Sequence, residues 1–174
     1  AILKKIFDKD KYDFRDDMDW FTFFDMNREW LVPYAAFCTL RDKYGTTDYT
    51  KWKAYSVYDD EKVQHFVSQE SEDYNDELFW YSIQYHLHLQ LKSASDYAHK
   101  KGIVLKADLP IGVGLHSADT LRNPELFDLK MQAGAPPDAF SQKGQNWSFP
   151  TCNTHHLSFD GYAWLIQSMD LLEI

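Results

Sequence analysis

Residues 103–113 read IVLKADLPIGV, and they follow Gly102 at the end of a long helical pattern. A glycine stop after a helix, then a short β-branched run closed by Pro110, is the return half of a βαβ-type unit. The reading predicts a buried strand over 103–109 with Asp108 at its carboxyl end. The chain then enters a loop-rich stretch from 114 to 157.

Upstream of that strand the pattern is helical. From Glu72 to Lys101, Phe79, Ile83, Leu87, Leu91, Ala94 and Ala98 recur at steps of three and four. They predict one long helix, the longest in the chain, with that apolar stripe facing a core. Residues 17–45 predict two helical pieces, with Asn27 as a cap, the main helix starting near Pro33, and Gly45 as its stop. TTDYTKWKAYSVY, at 46–58, has no clear period and predicts a surface wrap. DDEKVQHFV, at 59–67, predicts a short helix with acidic residues in its first turn. Downstream, residues 159–172 predict one closing helix.

Composition narrows the partners. The 174 residues fit one ordinary domain or part of a larger one, and 44% hydrophobic residues allow a core. A formal charge of −9 argues against a duplex or an anionic membrane as partner. No apolar run is long enough for a membrane span, and the opening AILKKIF, which could equally be the cut end of something longer, gives no expectation of a secretory leader. Cys38 and Cys152 form no CxxC pair, so neither a disulfide framework nor a zinc site is expected, and a reducing cytoplasm fits. The histidine pairs give no metal site either. His86 and His88 point to different faces of a helix, and His155 and His156 have no partner at ligand spacing. No cofactor is expected. Aromatic residues reach 17%, which serves an aromatic core or sugar stacking; composition does not separate the two.

Two longer words are recognisable. LKADLPIGVGLHSADTLRNPELF, at 105–127, and QAGAPPDAFSQKGQNWSFPT, at 132–151, resemble the 4-α-glucanotransferases, or amylomaltases, of glycoside hydrolase family seventy-seven. The family pattern there is a K-G-D-L-P-I strand, S-x-D-x-W, then A-G-x-P-P-D-x-F-S-x-x-G-Q-x-W-G-x-P. NREWLVPYAAFCTLRDKYGT, at 27–46, and IQYHLHLQLKSASDYAHKKGI, at 83–103, also resemble the preceding helices, closest to the multi-domain branch with starch-binding modules. The likeness spans residues 20–170.

The resemblance implies an α/β fold, a partial (β/α)8 barrel. A whole barrel takes about 250 residues, so the expectation is an interior segment whose missing remainder is a partner. It also implies α-1,4-glucans and maltooligosaccharides as ligands, transferred with retention to the 4-hydroxyl of an acceptor. Retention uses two carboxylates about 5 Å apart. The family places them in R-I-D-H-F-R-G and E-D-L-G strands, with a third aspartate in an H-D segment. None of these words occurs here, and the chain is expected to end just before the nucleophile strand. Asp170 and Glu173 are expected to be solvated, and no catalytic residue is assigned.

What remains is substrate apparatus. Asp108 is a cleft carboxylate, or a structural one capping the next loop. Asp138 is a sugar-hydroxyl acceptor, or a turn former. Trp147 is a stacking platform, or a core anchor. Ser141 and Gln145 are further polar candidates, and His116 and Ser117 face the cleft or merely solvent. In this reading the stretch from Gly134 to Trp147 is a loop arching over bound glucan. The chain departs from the pattern at Ala107, Leu121, Ser148, Cys152 and Thr154, where the family has glycine, tryptophan, glycine and two aromatic residues. These departures motivate the alternative of a non-catalytic glucan-binding or scaffold protein built on a decayed barrel. A free-standing helical domain unrelated to sugars is the third reading, and it needs Trp147 and Asp138 buried away from any cleft.

Overall fold

A computed structural model describes residues 2–9, 13–106, 108 and 112–170. They form two compact units, residues 1–103 and 104–174. The first is helical: α1 (Ile2–Phe7), α2 (Met18–Tyr44), α3 (Asp60–Phe66) and α4 (Tyr74–Lys100).

The sequence divides α2 at Pro33, whereas the helix runs through it unbroken. The Asp17 carboxylate caps it by accepting from the Asp19 N–H, and Gly45 ends it at φ 67°. Asn27 is therefore an interior residue, its amide donating to the Phe23 carbonyl and accepting from the Trp30 indole. A mid-helix proline costs about 3 kcal/mol. Burial on both sides of it, by Trp20, Phe23 and Leu31 before and by Ala35, Ala36 and Leu40 after, offsets that cost.

Aromatic rings join α2 to α4. Trp20 meets Tyr85 edge-on at 5.5 Å, Phe24 meets Tyr81 at 5.6 Å, and Phe23 lies 4.9 Å from the His88 ring. The Tyr85 hydroxyl donates to the capping Asp17 carboxylate at 2.8 Å, so the ladder is pinned at a helix start. The 46–58 segment departs from the expected surface wrap. It forms two 3-10 turns that carry Trp52 into the core, its indole donating to the Thr46 carbonyl at 3.0 Å. The short helix α3 forms where expected, capped by Asp59.

Helix α4 ends as expected at Gly102 (φ 73°), where Ile103 N–H bonds the Ala98 carbonyl and Gly102 N–H that of His99. At 27 residues it matches α2 instead of exceeding it. Its buried face also differs from the expected stripe. Glu77, Tyr81, Ser82 and Tyr85 are buried, while Leu87 and Leu91 are half exposed. The cause is geometric. Successive steps of four advance about 400°, so the stripe turns by roughly 40° per step and leaves the face where it began.

The second unit holds α5 (Ala118–Arg122), β1 (Phe127–Ala135), β2 (Gln145–Cys152), α6 (Thr154–Phe159) and α7 (Ala163–Asp170). Leu126, Phe127 and Leu157 are its core, with Val113, Cys152, Trp164 and Leu165 packed against them. The Trp164 indole donates to Asp119, and its ring meets Phe127 edge-on at 5.4 Å.

Three expectations change here. Residues 103–106 join no described strand, and Val104 is 87% exposed; Ala107 and 109–111 lie outside the described residues. A doubly apolar strand is buried only where neighbouring strands flank it, and the two described strands pair with each other. The 114–157 stretch is not a plain loop, since it contains the antiparallel β1–β2 hairpin. The expected closing helix, 159–172, starts late, as α7 at Ala163, because Gly161 (φ 68°) and Tyr162 (φ 61°) are left-handed; α6 precedes that break, mostly within the stretch expected to be a loop. Glu173 and the Asp170 side chain lie outside the described residues.

Candidate functional site

The candidate site is built on the hairpin. Two slips in its register decide its shape. Asp128 pairs with Thr151 but Gln132 pairs with Pro150, and Gly134 then pairs with Asn146. Leu129–Met131 therefore bulge from β1 and Trp147–Phe149 from β2. Bulges re-aim side chains and add twist. Gly134 permits the close approach beyond them, since a Cβ there would lie 2.1 Å from the Gln145 carbonyl oxygen. At the base, Phe149 covers Gly112 so tightly that a Cβ would lie 2.6 Å from its ring.

The tip is a self-contained turn. Asp138 Oδ1 accepts from the Phe140 N–H at 2.8 Å and the Ser141 N–H at 2.6 Å, and the Asp138 N–H donates to the Ser141 carbonyl. Ser141 Oγ donates to the Gly144 carbonyl at 2.6 Å. Asp138 and Ser141 thus hold the turn, which leaves Asp138 Oδ2 outside that network. The turn presents Phe140 with 99% of its surface exposed. The sequence reading did not single out this ring, since a phenylalanine beside turn-forming residues carries no sign of its exposure.

Trp147 is 48% exposed, so it does not anchor the hairpin to the core. Its indole N–H donates to Gln145 Oε1 at 2.9 Å, and its ring lies 5.8 Å from Phe149. Gln145 therefore orients the indole. The structure gathers Asp138, Ser141, Gln145 and Trp147 on one hairpin. The other three candidates lie on preceding segments. Asp108 is exposed. His116 is half-buried in the turn before α5. Ser117 caps that helix, its Oγ accepting from the Thr120 N–H while Thr120 Oγ1 accepts from the Ser117 N–H. Among the described residues no three His, Cys, Asp or Glu side chains gather into a metal-binding group.

Ser148 sits in the bulge at φ 61°. A non-glycine residue there costs about 1–2 kcal/mol, partly offset here by its N–H bond to Asn146 Oδ1 at 2.8 Å. Ser148→Gly should raise stability by about 0.5–1 kcal/mol, after the extra backbone entropy of glycine is subtracted. The urea midpoint at unchanged slope reads this, and a lower midpoint would show that the conformation is unstrained. Leu121 is buried and Cys152 packs on the core, so these two departures from the aromatic pattern alter packing and remove no exposed ring.

This architecture has known counterparts. The sequence model of the glycoside hydrolase family described as 4-alpha-glucanotransferase matches residues 1–172. The chain belongs to the 4-alpha-glucanotransferase family. It is 44% identical over 164 residues to the 4-alpha-glucanotransferase DPE2 of Oryza sativa subsp. japonica, covering 94% of this chain and 17% of that protein. It is 30% identical over 160 residues to the 4-alpha-glucanotransferase of Clostridium butyricum, covering 87% and 32%. The amylomaltase of Streptococcus agalactiae, solved in complex with acarbose, superposes with a TM-score of 0.77 at 24% identity, over 97% of this chain and 35% of that one. The chain thus spans between a sixth and a third of these two relatives' length. Its fold is that of an amylomaltase segment, a partial α/β barrel, as its sequence implies. No described helix of this 4-alpha-glucanotransferase segment is long and apolar enough to cross a membrane.

Proposed function

We propose that residues 1–174 are an interior segment of the catalytic barrel of a 4-alpha-glucanotransferase, and that they hold the glucan while other parts of the barrel perform the chemistry. The whole enzyme moves an α-1,4-glucan segment to the 4-hydroxyl of an acceptor by retaining double displacement. Its nucleophile and acid/base stand outside this chain, which lacks both carboxylate words. Its partners are α-1,4-glucans, maltooligosaccharides and the remainder of the barrel. Its compartment is the cytoplasm, in keeping with two cysteines that form no disulfide.

One observation carries the reading. Trp147 presents an indole half open to solvent, oriented by Gln145 on a hairpin whose tip is closed by its own hydrogen bonds. An indole offers a flat apolar face that covers the C–H face of a pyranose. Asp138 Oδ2 and the exposed Asp108 supply acceptors for sugar hydroxyls, and Phe140 adds a second open ring.

Trp147→Ala should weaken maltooligosaccharide binding by about 1–3 kcal/mol, by analogy with stacking of bases on aromatic residues. The thermal midpoint should stay unchanged, because the ring is not in the core. Affinity and midpoint are to be measured on the same variant. A fallen midpoint with unchanged affinity would overturn the platform role.

A further inference from the structure

One side chain closes the bulge that carries Trp147. On β2, Asn146 and Pro150 flank Trp147–Phe149, and they pair with Gly134 and Gln132 on β1. Three residues of β2 thus stand opposite a single residue of β1, Ala133. Pro150 has no N–H, so the ladder lacks a donor where it meets Gln132. Asn146 Nδ2 supplies one from the side chain, donating to Gln132 Oε1 at 2.7 Å. That bond ties one end of the bulge to the β1 residue opposite its other end. Asn146 Oδ1 meanwhile accepts from the Ser148 N–H at 2.8 Å, inside the bulge.

We infer that Asn146 is a positioning residue for glucan binding: it sets the direction of Trp147 by holding the backbone at Ser148 and locking the bulge to β1. The inference rests on the platform role proposed above for Trp147 and adds a residue that role depends on.

The partners fix which way the amide faces. A backbone N–H only donates, so the Asn146 atom toward Ser148 is the oxygen, which leaves Nδ2 for Gln132. Ser148 stands at φ 61°, a conformation that is costly for a residue with a Cβ. The bond from its N–H to Asn146 opposes relaxation of that backbone. If the bulge relaxed, the Cα–Cβ direction of Trp147 would turn with it. Gln145 does not prevent this, because its bond to the indole joins two residues of the same strand and makes no link across the bulge. Asn146 does reach across. The Trp147 and Phe149 rings, 5.8 Å apart on either side of Ser148, report whether the bulge keeps its shape.

The test compares Asn146→Ala with Asn146→Asp in the 174-residue chain. Aspartate keeps the acceptor for Ser148, and the Gln132 amide, turned over, donates to its second oxygen. In the ligand-free chain, the heteronuclear NOE of the Trp147 indole and the ring-to-ring NOEs to Phe149 should fall for alanine and persist for aspartate. The Trp164 indole, bonded to Asp119 beside the core of the same unit, should stay ordered in both. Affinity for maltotetraose should drop roughly fivefold in the alanine variant and recover in the aspartate variant. Unchanged Trp147 signals in Asn146→Ala overturn the inference, as does an aspartate variant no better than alanine. Loss of order at Trp164 as well makes Asn146 a general stabiliser and also overturns it. Loosened Trp147 signals with undiminished affinity overturn its role in binding. Trp147→Ala in the same titration separates the two readings: weaker binding there leaves the platform standing, and unchanged binding removes it.

Discussion

Trp52→Ala should destabilise the helical unit by about 3–5 kcal/mol, the usual cost of removing a buried tryptophan ring. Trp52 is entirely buried and is surrounded by aromatic neighbours. Its ring is stacked on Tyr44 at 6.2 Å and 12°, with Phe37 at 5.1 Å and Tyr49 at 6.4 Å. These rings come from α2 and from the 3-10 turns after it, so one side chain fastens an irregular segment to a regular one. Truncation opens a cavity and leaves the Thr46 carbonyl without its indole donor. Trp52→Phe, which refills most of the space, should recover the larger part of the loss. Denaturant unfolding of both variants checks this, and a loss below about 1 kcal/mol for alanine would mean that the segment is not held by Trp52.

Glu77→Gln should raise stability at pH 7 by up to about 3 kcal/mol. Glu77 is entirely buried on the α2-facing side of α4, and neither carboxyl oxygen has a hydrogen-bond partner. Burial pushes its pKa up to about 9 from 4.5, and the nearby Asp73 and Asp76 carboxylates add to the rise. A carboxyl whose folded pKa is raised contributes its stability fully below the unfolded value, near 4.5. That contribution is lost as pH rises toward 9. At pH 7 the folded state holds a proton that the unfolded chain has released. Holding it costs about 1.4 kcal/mol for each pH unit above 4.5, and relaxation around the site makes the sum an upper bound. Glutamine keeps the shape without the proton. Unfolding free energy measured from pH 5 to pH 8 should fall less steeply in the variant than in the parent chain. Equal slopes would show that Glu77 is ionised in the folded state.

The two variants also show which parts of the fold were legible. Helix ends were, because their chemistry is local: Gly45 and Gly102 both sit at positive φ where the sequence placed a stop. Pro33 misled, because its cost is local whereas the burial that outweighs it comes from Phe23, Leu31 and Leu40 across several turns. Trp52 was lost in a segment without a period, where nothing marks one tryptophan as buried. On α4 the stripe of leucines drew attention from Tyr81 and Tyr85, whose hydroxyls make them read as surface residues although their rings carry the packing. The hairpin was hidden by its bulges, which break the alternation a strand is recognised by.

The turn at the hairpin tip was more legible than the sheet that carries it. Asp138 and Ser141 are turn residues by type, and the structure uses them as such. The missing glycine at Ser148 pointed to the one residue between Trp147 and Phe149 that adopts a left-handed backbone. Phe140 was not legible, since a phenylalanine carries no sign of whether a turn will expose it. The family words at 105–127 and 132–151 were recognisable because they encode turns and close approaches, such as Gly112 under Phe149 and Gly134 against Gln145, that few other residues satisfy.

In the proposed function, this segment binds glucan without carrying the groups that cleave it. The most direct measurement is to incubate the purified chain, free of host enzymes, with maltotriose and to resolve the oligosaccharides by chromatography. The account predicts a profile unchanged from the blank, because the nucleophile and the acid/base lie elsewhere in the barrel. Glucose accompanied by longer oligosaccharides, above the blank, would contradict it and place catalytic carboxylates within these 174 residues.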